Sequence, residues 1–260
     1  MPPHAASHDR LDRKSRAEIA AELRRLLPRL EGLAPEVRFL SFGLAPLDRH
    51  LQGGLAHGAL HEVAPETDAD IAAAFGFVAA LLGRVADGPI LFVLSSKQFA
   101  RCGRPYGYGL RTFGLDPARL ILVEARNDKE ALWAMEEALR SAAPAAVAGT
   151  AEKLDFRASQ RLHLAAGKAG RPLLLLRPAG AFGAGVAVTR WRIGAAPAAR
   201  DRFGLVARLR WRAELERCRN GRPGQWLVEF DHAYGFRLAA AMADPAFLGG
   251  AGTSSRRRAG

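Results

Sequence analysis

The sequence predicts an α/β protein: a mostly parallel, twisted sheet flanked by helices, extended by antiparallel C-terminal strands and preceded by an N-terminal helical arm. Three observations carry this. Short continuous apolar runs recur between residues 58 and 176, as expected of strands buried on both faces. Stretches with helical spacing lie between them, so successive strands are joined by crossover helices. After residue 185 the helices stop and strand follows strand, the pattern of hairpins added to one sheet edge.

Residues 1–14 are polar and are expected to be disordered. Ser15-Arg16-Ala17-Glu18 is a capping-box pattern, and Ile19, Leu23, Leu26, Leu27 and Leu30 follow at helical spacing. Residues 15–36 therefore form an arm whose apolar stripe either folds back on the core or docks on a partner, with Arg16, Arg24 and Arg25 on its other face. Gly32 and Pro35 break the arm from a core domain of residues 37–242. Within the core, Gly58–Val63 reads as a strand and Asp68–Leu82 as a helix. Strands follow at Pro89–Ser95, Arg119–Val123, Ala145–Gly149 and Pro172–Leu176, with helices at Asp128–Ser141 and Phe156–Ala169. Later strands are expected at Val186–Ile193, Leu205–Arg219, Gln225–Phe230 and Tyr234–Ala240. Residues 243–260 end in Arg256-Arg257-Arg258 and read as a flexible basic tail.

The chain has 260 residues and a formal net charge of +12, which points to an anionic partner, most often nucleic acid. Cys102 and Cys218 stand far apart, which excludes a disulfide framework and a cysteine zinc site. No run approaches the ~18 apolar residues of a membrane span, and the N-terminus has no apolar signal core. A cytoplasmic, nucleoid-associated protein without membrane contact is expected.

Ala64, Pro65, Glu66, Thr67, Asp68, Ala69, Asp70 and Ile71 join the Gly58 strand to the following helix, the context of a phosphate-binding loop. Such a loop needs a Lys for the terminal phosphates and a hydroxyl for Mg²⁺. Asp70 stands where the Lys belongs and Ile71 where the hydroxyl belongs. A carboxylate repels a triphosphate and isoleucine ligates no metal, so no cofactor is expected. His57 and His61 have a metal-like spacing but no third ligand, and read as ordinary polar residues. Ser95-Ser96-Lys97 has no triad partner at a recognisable spacing, so no catalytic residue is assigned.

Leu205–Arg219 alternates with period two: Leu205, Ala207, Leu209, Trp211, Ala213 and Leu215 on one face, Arg208, Arg210 and Arg212 on the other. Aligned cations repel, so such a row calls for an anion, unless Glu214 and Glu216 on the same face neutralise part of it. Arg190 and Arg192 share a face of the preceding strand, and Gly194–Gly204 reads as an Ala/Pro-rich loop bearing Arg200 and Arg202. With Arg217, Arg219 and Arg222 these make the candidate DNA-binding set; residues 190–237 hold eleven Arg against five acids. Trp191 and Trp211 alternate with the arginines and so face the core.

Gly43-Leu44-Ala45-Pro46-Leu47-Asp48, Gly53-Gly54-Leu55, Gly58–Val63, and Trp211–Gly224 followed by Trp226-Leu227-Val228-Glu229 resemble the bacterial RecA core, and more closely the ImuA family of RecA-like proteins of damage-induced mutagenesis. Some members of that family carry a SulA-like description. The resemblance spans roughly residues 38–240. It places Ser96 at the position of the water-activating carboxylate, Gly149 at the magnesium-associated aspartate and Arg177 at the nucleotide-sensing glutamine, beside Asp70 and Ile71 in the loop. It implies that hydrolysis is lost and that Gly194–Gly204 corresponds to a mobile DNA-contacting loop. It also implies an arm used for self-association or for partner docking. The implied partners are DNA, single-stranded or primer-template, an ImuB-type Y-family polymerase homologue, and an error-prone replicative-type polymerase. Two other functions stay open at this point, a SulA-like inhibitor of cell division and an ATPase with an unorthodox nucleotide site.

Overall fold

A computed structural model describes residues 38–98, 103–181, 183, 185–219 and 221–239. The arm, with Ile19, Leu23, Leu26, Leu27 and Leu30, and the basic tail lie outside the described residues.

The chain enters through β1 (Phe39–Leu40), helix α1 (Ala45–His50) and β2 (Leu55–Ala56), which pairs with β1. The Gly43–Asp48 stretch is shaped by one side chain. The Asp48 carboxylate accepts hydrogen bonds from the Ser41 hydroxyl at 2.8 Å, the Phe42 N–H at 2.8 Å and the Leu44 N–H at 3.0 Å, tying α1 to the turn before it. Next come β3 (Leu60–Pro65), α2 (Ile71–Leu82), β4 (Ile90–Ser95), the short α3 (Gly107–Thr112), β5 (Leu120–Ala125), α4 (Asp128–Ser141), β6 (Ala146–Thr150), α5 (Phe156–Ala169) and β7 (Leu173–Leu176). The chain then runs through β8 (Thr189–Arg200), β9 (Val206–Cys218), β10 (Gly224–Asp231) and β11 (Gly235–Leu238) without a helix between them.

Among the described residues, nine strands form one sheet in the order β11-β10-β9-β8-β3-β7-β6-β4-β5. β8, β3, β7, β6, β4 and β5 are mutually parallel, and β9, β10 and β11 are added antiparallel beyond β8. This is the expected architecture. One face packs on α2, where Phe42, Phe77, Trp191, Trp211 and Phe236 interlock, with Phe77 5.9 Å from Trp191 and 5.8 Å from Trp211 by ring centroids. The other face packs on α4 and α5 through Leu60, Met135, Val147, Leu162 and Leu173. No helix among the described residues is long and apolar enough to cross a membrane.

Two expectations change. The Arg119–Val123 run forms β5, but among the described residues β5 has only β4 beside it, so Ile121 is 48% and Leu122 37% exposed rather than buried on both faces. The Gly194–Gly204 segment is not a loop. β8 continues through Arg200, and only a tight turn separates it from β9. Its Ala/Pro composition hid the strand. Pro197 has no N–H to donate, and the ladder accommodates it by a register shift between Ala196 and Ala199.

His61 is more than an ordinary polar residue, being fully buried on β3. Its Nε2 donates to the Ala56 carbonyl at 2.9 Å, which leaves Nδ1 to accept from the Thr189 hydroxyl at 2.8 Å. That hydroxyl in turn accepts from the Trp191 indole at 3.1 Å. Burial lowers the His61 pKa from 6.5 to about 4, against the opposing pull of the Ala56 carbonyl. The unfolded chain thus takes up this proton at a higher pH than the folded chain. Stability is expected to fall as pH drops through that window, by about 3 kcal/mol in total at ~1.4 kcal/mol per pKa unit. Urea unfolding of the wild type and His61→Gln across the window checks this: the stability gap between the two proteins narrows by that amount.

Candidate functional site

The segment between β3 and α2 is closed up, not wrapped around an empty anion site. The Glu66 N–H donates to the Ile193 carbonyl at 2.8 Å and so prolongs the β3–β8 pairing. The chain then makes a single 3₁₀ turn, Asp68–Asp70, before α2 begins. Asp70 Oδ2 accepts from the Thr67 N–H at 3.0 Å and the Thr67 hydroxyl at 2.6 Å, while Oδ1 accepts from the Ala195 N–H on β8 at 2.8 Å. Burial pushes the Asp70 carboxyl up, but the Thr67 and Ala195 hydrogen bonds and the nearby Arg212 outweigh it and hold the group below the usual aspartate value. Glu66 Oε2 accepts from Arg212 Nε at 3.0 Å and Nη2 at 2.7 Å. That pair passes over Gly194 on β8, where any Cβ would collide with the Glu66 carboxylate. Asp70 and Glu66 thus latch the β8–β9 hairpin to the end of β3.

The other positions of the site are occupied too. A Cβ on Gly149 would lie 2.6 Å from Met135 Sδ and 2.8 Å from the Val93 carbonyl oxygen, so β6 has no room for a carboxylate there. Arg177 is buried and donates to the Ala151 carbonyl at 2.6 Å. Burial pulls its pKa down while the Glu62 and Asp128 carboxylates raise it. Glu62, also buried, pairs with Arg190 at 2.9 Å. The Ser96 hydroxyl donates to the Arg126 carbonyl at 3.0 Å, and Lys97 pairs with Glu152 at 2.5 Å. The cleft left between Pro65, Ile71, Ser95, Thr150 and Arg177 has a volume of about 40 Å³. A wider cleft of about 560 Å³ adjoins it along Asp68, Ile71, Phe75 and Arg104. Among the described residues no group of three His, Cys, Asp or Glu side chains is placed to hold a metal.

The arginine row runs along the sheet face opposite Trp191 and Trp211, which are both buried. It is compensated from inside the protein. Arg190 pairs with Glu62, Arg192 with Glu214 and Glu216, Arg208 and Arg210 with Glu229, and Arg212 with Glu66. Five arginines meet five glutamates, so this ladder carries no net charge. Glu214 and Glu216 were legible from the period of β9, whereas Glu62, Glu66 and Glu229 come from other segments. For Glu229 the signal lay in β10, where the residue sits directly opposite Arg210. The remaining candidates pair with no carboxylate among the described residues. Arg200 donates to the Gly204 carbonyl at 2.5 Å and Arg202 lies 4.7 Å over the Phe203 ring. Arg217 and Arg219 donate to the Gly185 and Val186 carbonyls, and Arg222 is exposed.

No protein-family model matches the chain. Protein ImuA of Caulobacter vibrioides strain NA1000 / CB15N is 37% identical over 227 residues, covering 79% of this chain and 90% of that protein, and the ImuA protein of strain ATCC 19089 matches equally. Among solved structures, the RadB recombinase aligns with a TM-score of 0.53 over 78% of this chain and all of its own, at 17% identity, a likeness of fold alone. With this fold, and with more than a third of aligned residues identical over most of both chains, the chain belongs to the ImuA family.

Proposed function

We propose that this protein is a non-catalytic, RecA-like adaptor of damage-induced mutagenesis, which binds DNA and holds a lesion-bypass complex containing an ImuB-type polymerase homologue and an error-prone polymerase. One observation carries the non-catalytic half: Asp70, at the position of the phosphate-binding lysine, is engaged with Thr67 and Ala195 and fixes the hairpin. Titration calorimetry with ATP and Mg²⁺ tests it. No binding heat is expected, and saturable micromolar binding refutes the reading.

The DNA half rests on the arginines outside the neutral ladder: Arg200, Arg202, Arg217, Arg219 and Arg222. Each phosphate contact contributes about 0.7 to the slope of log affinity against log salt for a single strand. Replacing all five with Ala is expected to weaken single-strand binding and flatten that slope by up to about three. Replacing Arg208, Arg210 and Arg212 instead leaves the slope nearly unchanged and lowers stability, because Glu66 and Glu229 lose their partners. Fluorescence anisotropy across a salt series, with a melting curve for each variant, separates the two. Wild-type protein that binds no DNA at low salt sinks this half. A cytoplasmic, nucleoid-associated location follows from the same reading.

A further inference from the structure

The arginines outside the neutral ladder fall into two groups, one at each end of β8. Arg200 and Arg202 sit at the hairpin tip, whereas Arg217, Arg219 and Arg222 lie at the base, Arg217 opposite Arg190. Arg190 and Arg200 are ten residues apart, which puts roughly 30 Å between the groups at ~3.3 Å per residue. The tip has a carboxylate of its own, Asp201, between its two cations. The base has none. The chain averages one acid in ten residues, yet residues 156–200 hold eight Arg and Lys and no acid, and residues 49–61 and 217–228 hold no acid either.

The fold gathers these acid-free stretches at one end of the sheet. On β3, the Leu60 N–H donates to His163 Nδ1 of α5 at 3.4 Å, and just before it the Gly58 N–H donates to the Arg171 carbonyl at 3.2 Å. The Val188 N–H donates to the Leu60 carbonyl at 2.8 Å, and the Val188 carbonyl accepts from the Arg219 N–H at 2.8 Å. His163 and Arg219 are therefore neighbours, and the Arg219 charge adds to burial in lowering the His163 pKa. Lys168 follows on α5 and is exposed. The carboxylate of Glu136, on the adjacent α4, is already shared by Arg140 and Arg161. Arg217 and Arg219 are held in place by the Gly185 and Val186 carbonyls at 3.0 and 2.9 Å, so each guanidinium keeps donors to spare.

We propose that this acid-free end of the sheet, with Lys168 and Arg171 on the α5 side and Arg217 and Arg219 on β9, is the surface that takes the DNA backbone. The inference rests on the DNA half of the function proposed above and gives it a place. Cations gathered without a carboxylate among them repel one another, and a phosphate backbone relieves that repulsion while releasing its own counterions. Contacts to phosphate fix position and carry no sequence information. The hairpin tip, at the far end of β8 and partly neutralised by Asp201, lies outside this surface.

The test is fluorescence anisotropy of a labelled single strand against the full-length chain across a salt series, with a melting curve for each variant. Lys168→Ala, Arg171→Ala, Arg217→Ala and Arg219→Ala together are expected to weaken binding at least about tenfold and to flatten the salt slope by about two to three, at ~0.7 per phosphate contact. Arg200→Ala with Arg202→Ala is expected to leave affinity and slope nearly unchanged. Lys168→Glu alone, at an exposed side chain that pairs with no carboxylate among the described residues, is expected to weaken binding at least about threefold with the melting temperature unchanged, which decides the matter if the fourfold variant folds poorly. Wild-type protein that binds no DNA at low salt overturns the DNA half of the function and this surface with it. Wild-type protein that binds, with undiminished binding by the fourfold variant and by Lys168→Glu, overturns this surface alone. A loss produced by the tip pair instead places the contact on the hairpin and likewise overturns it.

Discussion

Gly149→Asp, which puts on β6 the carboxylate that the resemblance to RecA calls for at this position, is expected to unfold much of the protein and to confer no ATPase activity. The backbone of β6 passes so close to α4 and β4 that even a Cβ meets Met135 Sδ at 2.6 Å and the Val93 carbonyl at 2.8 Å. Met135 is fully buried, and the Val93 oxygen belongs to the backbone of a neighbouring strand in the same ladder, so neither yields cheaply. Overpacking alone costs about 1–3 kcal/mol, which is the effect expected of Gly149→Ala. The aspartate adds a carboxylate to an interior position with no donor arranged for it, for a total above about 4 kcal/mol, out of a typical domain stability of roughly 5–15. Urea denaturation of the two variants gives the steric and charge parts separately. Adding Met135→Ala is expected to recover only part of the loss, since the Val93 contact stays. Near-wild-type stability of Gly149→Asp would show that β6 moves aside readily and that this position is not sterically closed.

The sequence displayed the fold well where hydrophobic period alone decides structure. α4 and α5 occupy the stretches their apolar spacing marked, because each has one buried face and a side-chain cap on its first turn, Asn127 for α4 and Asp155 for α5. β9 was legible because alternation on a strand with one buried face is hard to mistake. β5 was legible as a strand but not as an edge, because an apolar run says that a strand forms, not whether a neighbour lies on both sides of it. The Gly194–Gly204 stretch failed for a different reason, since small residues and a proline look the same in a loop and in a bulged strand. In the site, the sequence displays Asp70, Ile71, Ser96 and Gly149 where the resemblance calls for a lysine, a hydroxyl and two carboxylates. What replaced them was not visible, because Glu66, Asp70, Ala195 and Arg212 lie up to 146 positions apart in the chain and meet only through the pairing of β8 with both β3 and β9. Ion pairs across non-sequential strands leave no local period to read.

The latch itself makes the second large prediction, through Asp70→Lys combined with Ile71→Thr. On paper these two changes rebuild the phosphate loop; in this fold they are expected to bind no nucleotide and to loosen the hairpin. Removing the Asp70 carboxylate strands the Thr67 N–H, the Thr67 hydroxyl and the Ala195 N–H, all of which it now accepts from. Each partly buried donor left without an acceptor costs about 1–3 kcal/mol unless water reaches it. The lysine then places its charge in the neighbourhood of Arg212, whose interaction with Asp70 changes from attraction to repulsion. A loss of about 3–5 kcal/mol is expected, concentrated where β8 leaves β3. Asp70→Asn, which keeps the shape and one acceptor, is expected to cost only about 1 kcal/mol. Amide hydrogen exchange reads this directly: the Ala195 N–H is expected to exchange at least about 100-fold faster in the double variant, a change of about 2.7 kcal/mol at ~1.4 per factor of ten. Nucleotide does not rescue it, because a single 3₁₀ turn aims no ring of amides at a phosphate and Gly149 offers no second ligand for magnesium. Should the double variant bind MgATP, or keep the Ala195 amide protected, then Asp70 neither blocks the site nor holds the hairpin.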